Sequence, residues 1–110
     1  MNSKLIIYEY KEAGDKLLSE NFHRQAIIMY WIACRFLIFH ILSINEIHYV
    51  STRNALLEFM KSNKNNKISS QVWVLDSIAT LCEWNPEYKV NKMLAIKVKK
   101  IFNNIITHYE

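Results

Sequence analysis

Arg35 and His40 are the residues whose types and spacing come nearest to a chemical site. A histidine can move a proton near neutral pH, and an arginine can stabilise charge developing on a phosphoryl group. Phe36 to Phe39 separate them. With about 100° between successive helical residues, the two side chains leave one helix roughly 140° apart. One helix therefore cannot aim both at the same phosphate without help from a partner helix. A structural role competes: Trp31 and Phe39 sit one turn from Arg35, whose guanidinium can pair with a carboxylate such as Glu83 or Glu87 inside a bundle.

Little else has catalytic form. HExxH, GxxxxGK[ST] and GxSxG patterns are absent, which removes the common nucleotide-hydrolase and esterase readings, and no metal or cofactor is expected. Cys34 and Cys82 lie in apolar stretches without CxxC spacing, as buried thiols of a reducing compartment would. With no secretory start, a cytoplasmic location is expected. Arg53, Lys97 and Lys100 are candidates for contacting RNA or a nucleotide, since the net charge of +4 suits an acidic ligand; the lysines can equally form a solvated face. Trp31, Trp73 and Trp84 have aliphatic neighbours and are expected to pack in the core or at its edge.

Helices must position these residues. Gly14 and Pro86 are the only glycine and proline, too few for a hairpin-rich β protein. Ile6, Tyr10, Ala13 and Leu17 recur at steps of four, three and four, which predicts an amphipathic helix over 4–20. Gly14 beside that stripe marks a close helix approach. Residues 22–43 are apolar on all sides, so this helix must be central or face a second subunit. Ala26 to Leu42 approaches the length of a membrane span, but Arg35 at its middle would cost about 2.5–3.5 kcal/mol to insert, so a buried helix and no membrane are expected.

Ser51 or Thr52 can cap a third helix with Ala55, Leu56, Phe59 and Met60 inward, followed by a solvated linker from Ser62 to Lys67. A fourth helix is expected from Ser69 or Ser70, burying Val72, Leu75, Ala79 and Cys82 and stopping at Trp84-Asn85-Pro86. Asn91 caps the last, in which Leu94, Val98, Ile101 and Ile105 face in and Lys97, Lys100, Asn104 and His108 face out. The expected fold class is all-α: an antiparallel up-and-down bundle of about five helices in a single domain over 1–110. A composition of 51% apolar and 22% charged residues suits such a packed domain.

The order of these residues resembles HEPN domains, the helical domains of prokaryotic toxin–antitoxin and nucleotidyltransferase-associated systems. The likeness rests on Ala13, Leu17, Phe22, Ala26, Ile27, Tyr30, Trp31 and Ala33, then His48, then Glu83-Trp84-Asn85-Pro86-Glu87-Tyr88, and covers about residues 10–105. Glu83, Pro86 and Glu87 stand where the family often has arginine, alanine and aspartate. The resemblance implies a homodimer working with a separate nucleotidyltransferase or antitoxin protein. Catalytic members carry R-x(4–6)-H, which Arg35 to His40 matches in form. In them, paired motifs in a dimer cleft cleave RNA without metal: histidine moves the proton of the attacking 2′-hydroxyl and arginine stabilises the phosphoryl charge. Arg53-Asn54 with Glu58 resembles their R-N-x3-H helix start, glutamate replacing histidine. Three functions are then open: an accessory module, a metal-independent ribonuclease using Arg35 and His40, or a small helical immunity or inhibitor protein.

Overall fold

The computed structural model describes residues 3–110, which form five helices and no strand. α1 (Ser3–Ser19) and α2 (His23–Ile44) make a hairpin. Its turn is set by Asn21 in the left-handed region at φ 66°. The Asn21 and Phe22 amides return to the Leu18 and Leu17 carbonyls at 3.1 and 2.9 Å, satisfying acceptors that a helix end would leave open. α2 ends the same way: Glu46 has φ 56°, and the Glu46 and Ile47 amides bond the Ser43 and Leu42 carbonyls at 3.1 and 2.9 Å. Glycine would suit both positions, but the chain spends its single glycine elsewhere.

α3 (Thr52–Ser62), α4 (Asn66–Trp84) and α5 (Lys92–His108) each start at a polar cap. Ser51 accepts from the Asn54 amide and Asn91 from the Leu94 amide, both as expected. The start of α4 is a correction. Asn65 accepts from the Lys67 and Ile68 amides and caps the helix about one turn before Ser69, so Lys67 is helical rather than part of a linker. Asn63 fixes that cap, bonding both the Asn65 backbone and the Ser69 hydroxyl.

α2 packs against each of the other four helices, and α4 also packs on α5. Nine α2 residues are buried. Of the two alternatives for this apolar helix, the central one is observed. It is long and apolar enough to cross a membrane by length and composition alone, and in this fold it is the core helix.

The seam between α1 and α2 is rotated from the expected stripe. Ile7 and Gly14 are the buried positions, while Ile6, Tyr10, Ala13 and Leu17 are half-buried. A Cβ on Gly14 would lie 2.8 Å from Cε1 of Tyr30, so the close approach expected at this glycine is made by a ring. Tyr30 is fully buried, stacks on Phe102 at 5.7 Å and donates its hydroxyl to Asp15 at 2.5 Å. Asp15 also meets Lys11 at 3.1 Å and Lys99 at 3.2 Å. One carboxylate thus joins α1, α2 and α5.

Val72, Leu75, Ala79 and Cys82 of α4 are buried as the periodicity required. In α5 the inner positions are Ala95, Val98, Phe102, Ile105 and Ile106, with Leu94 and Ile101 half-buried. Trp31 belongs to the core, but Trp73 is 49% exposed and Trp84 80% exposed. Trp84 therefore departs from the expectation of core or edge packing. It lies opposite the Val72–Cys82 face, and the chain turns away immediately after it at Asn85 and Pro86.

Candidate functional site

Arg35 and His40 both lie on α2 and both are half-buried, yet their surroundings differ. His40 lines a cleft of about 270 Å³ at one end of the bundle, walled by Ile7, Leu37, Ile41, Ile44 and Ile106 and edged by Lys4, Tyr8, Tyr109 and Glu110. At its edge the Tyr8 hydroxyl donates to the Glu110 carboxylate at 2.5 Å. That bond, then burial and the Glu110 charge, raise the Tyr8 pKa. Among the described residues no hydrogen bond or ion pair orients His40. An imidazole acting as a base is usually held by a third group.

Arg35 does not line that cleft. It lies within electrostatic reach of Asp76 on α4, together with Arg53 from the first turn of α3. Burial raises the Asp76 pKa, outweighing the lowering effects of Arg53, Arg35 and the hydrogen bond from Thr80. Neither arginine closes to a direct ion pair, because the close ion pairs among the described residues are those of Asp15. The expected carboxylate neighbour of Arg35 is thus Asp76 in place of Glu83 or Glu87, which are both exposed. A dispersed charge cluster of this kind ties α2, α3 and α4 together electrostatically; it presents no oriented acid–base pair.

Of the three basic candidates, Lys97 and Lys100 lie one turn apart on the exposed surface of α5, and Arg53 lies elsewhere. Lys97 lines a shallow groove between α4 and α5 with Lys67, Gln71 and Val74. Lys100 is exposed on α5. Arg53 faces Asp76. Asp76 and Val74 lie two residues apart, about 200° around α4, so Arg53 and Lys97 occupy opposite flanks of that helix. Among the described residues, no group of three or more His, Cys, Asp or Glu side chains could hold a metal ion. Cys34 is fully buried, and burial, with a smaller contribution from the Asp76 charge, pushes its thiol up to about 12, which removes it as a nucleophile.

Two features escaped sequence reasoning. Arg24, in the first turn of α2, donates to the carbonyls of Cys82 at 2.7 Å, Asn85 at 3.3 Å and Tyr88, and so ties down the end of α4 and the turn that follows it. No local signal marks this, since its acceptors are backbone atoms about sixty residues away. The outer face of α4 is the second. Trp73, Ser77, Thr80 and Trp84 recur at steps of four, three and four on the side opposite the core, and all four are exposed. Leu57 on α3, 49% exposed, and Leu81 on α4, 40% exposed, are further exposed apolar side chains. The periodicity was visible in the sequence, hidden by the assumption that tryptophans seek the core.

No family model matches this chain, and no curated protein and no solved structure is significantly similar to it.

Proposed function

We propose that this chain is a HEPN-like, self-associating interaction module that accompanies a separate nucleotide- or RNA-acting protein and does not itself cut RNA. The observation that carries the reading is the parting of Arg35 and His40. His40 sits in an aliphatic-walled cleft with no hydrogen bond or ion pair of its own among the described residues, and Arg35 shares the neighbourhood of Asp76 with Arg53. Metal-independent cleavage needs a base and a cation within hydrogen-bonding reach of one phosphate. Two copies could bring Arg35 of one to His40 of the other only by setting the flank of α2 beside α3 and α4 against the end cleft. What α4 offers outward is partly apolar: Trp73 and Trp84 stand exposed on its outer face. Large aromatic side chains exposed together on one helix face are a common feature of interaction sites.

The reading is tested by incubating purified protein with single-stranded RNA in EDTA, beside Arg35→Ala and His40→Ala variants matched for melting temperature. No cleavage above buffer by any of the three is expected. Cleavage by the wild type that vanishes in His40→Ala would make the chain a ribonuclease and end the proposal.

A further inference from the structure

We infer that the cleft at the end of the bundle, between α1, α2 and α5, binds a free medium-chain monocarboxylate. The alkyl tail lies in the aliphatic trough, and the carboxylate is held at the mouth by His40 and Lys4. This goes beyond the interaction reading and does not rest on it.

The trough is the first ground. Ile7, Leu37 and Ile106 come from three different helices, are buried and form its deep wall, and Ile41 and Ile44 continue it outward. A packed interior leaves few voids larger than a water molecule, whereas this cleft measures about 270 Å³. Water gains little there, because aliphatic walls offer it no hydrogen-bond partner. Each wall residue sits on a helix, so the shape is present before a ligand arrives. Ile44, 66% exposed at the mouth, is the wall residue that a tail would cover most. An apolar cavity of about 150 Å³ takes benzene, so by volume this one takes roughly eleven non-hydrogen atoms, an alkyl tail of about eight to ten carbons with its head at the mouth.

The second ground is which polar groups at the mouth remain open, since these choose the head. Two helices end here, and their terminal carbonyls are taken: Leu42 and Ser43 accept from the Ile47 and Glu46 amides, and Ile106 and Thr107 accept from the Tyr109 and Glu110 amides. Glu110 is the one acidic residue lining the cleft, and its carboxylate accepts from the Tyr8 hydroxyl at 2.5 Å. The remaining polar groups of the lining are donors. Lys4 brings an ammonium, which can only donate. His40 brings a half-buried imidazole with no hydrogen bond among the described residues. Two basic groups against one carboxylate that already has a donor call for an accepting, anionic head. A carboxylate answers this with two oxygens, one for each donor.

Sodium decanoate, kept below its micelle concentration and titrated into the full chain carrying carbon-13 isoleucine methyls, tests this by NMR. The signals of Ile7, Ile41, Ile44 and Ile106 should shift together and saturate, with a dissociation constant of about 1 mM or tighter. Ile27 and Ile68, which do not line the cleft, should stay fixed. Lys4→Met, at an exposed position, should weaken decanoate roughly threefold or more and leave decanol unchanged. His40→Phe, which keeps an apolar ring and removes the donor, should do the same at equal melting temperature. Decylamine should bind about tenfold more weakly than decanoate, since its ammonium meets two basic groups. Shifts that never saturate, or that reach Ile27 and Ile68 equally, overturn the inference, because detergent-like contact explains both. So does decylamine binding as tightly as decanoate, which would set a cation beside Glu110. So does a Lys4→Met variant that loses decanoate and decanol alike, or one that loses neither. Hexadecanoate binding more tightly than decanoate overturns it as well, since the cleft would then be an open groove for long chains. None of these outcomes bears on RNA cleavage, so failure of the ligand site and failure of the non-catalytic reading are told apart.

Discussion

Replacing Arg24 should cost more stability than any other single exposed or half-buried polar side chain on the lower turns of α2. Its guanidinium reaches across the bundle to the carbonyls of Cys82, Asn85 and Tyr88, at 2.7 Å and 3.3 Å for the first two. The Cys82 and Asn85 carbonyls belong to the end of α4 and its cap, where backbone acceptors lack helical partners. Each hydrogen bond from a charged donor contributes about 1.5–3 kcal/mol, and the longer, exposed one to Asn85 counts for little. The two part-buried bonds alone would give about 3–6 kcal/mol, and solvent screening at this half-buried site lowers the expected cost of Arg24→Ala to roughly 2–4 kcal/mol. Arg24→Lys keeps the positive charge near the α4 C-terminus, but a point-like ammonium cannot span two separated carbonyls, so it should lose about half as much. Urea titrations followed by far-ultraviolet circular dichroism give the comparison. With an m value of about 1–1.5 kcal/mol/M for a chain of this size, Arg24→Ala should lower the midpoint by roughly 2 M. A midpoint equal to wild type, or equal losses in the alanine and lysine variants, would show that the forked contact is not what holds the turn.

Other perturbations follow from the same structure. Gly14→Leu should destabilise by about 1–3 kcal/mol in the same titration, because even its Cβ would lie 2.8 Å from the Tyr30 ring. Glu46→Gly should stabilise by about 0.5–1 kcal/mol, seen as a raised urea midpoint, since a left-handed L residue costs about 1–2 kcal/mol and glycine's looser unfolded chain returns part of that; Glu46 has φ 56°. Burial raises the Asp15 pKa, but the Tyr30 hydroxyl, Lys11 and Lys99 together hold it below the ordinary 3.8. The stability those contacts supply is complete above pH 3.8 and is lost as pH falls through the lower native value. The difference in melting temperature between wild type and Asp15→Asn should therefore be full near neutral pH and shrink in strong acid.

Helix number and the buried face of α4 were legible because period-3.6 patterning at Val72, Leu75, Ala79 and Cys82 has one interpretation. The caps at Ser51 and Asn91 were legible because a short polar side chain before an apolar run satisfies open amides. Asn65 was not, because three asparagines and two lysines in succession offer several equivalent starts and only the Asn63 contacts choose among them. The α1 seam lies a fraction of a turn from the expected stripe, since Ile6 and Ile7 are chemically identical and only the surroundings of the end cleft, where Ile7 joins Leu37 and Ile106, choose between them. For the site, the helical wheel already set Arg35 and His40 apart. What it could not supply was the neighbour of each: Asp76 and the Ile41–Ile106 cleft come from other helices. The three arginines illustrate the general limit. Arg24, Arg35 and Arg53 look alike in the sequence, yet one ties down a helix end and two share the surroundings of a carboxylate.

On the proposed function, this molecule works through the outer face of α4 and not through a catalytic pair on α2. Its three tryptophans report on that claim separately, since Trp31 is 5% exposed in the core while Trp73 and Trp84 sit on the face in question. The most direct measurement is the set of indole N–H resonances of nitrogen-15-labelled protein over a dilution series. The Trp73 and Trp84 signals should move together with concentration, Trp31 should stay fixed, and added single-stranded RNA should shift neither of the first two. Concentration-independent Trp73 and Trp84 signals, or shifts at both on adding RNA, would contradict it.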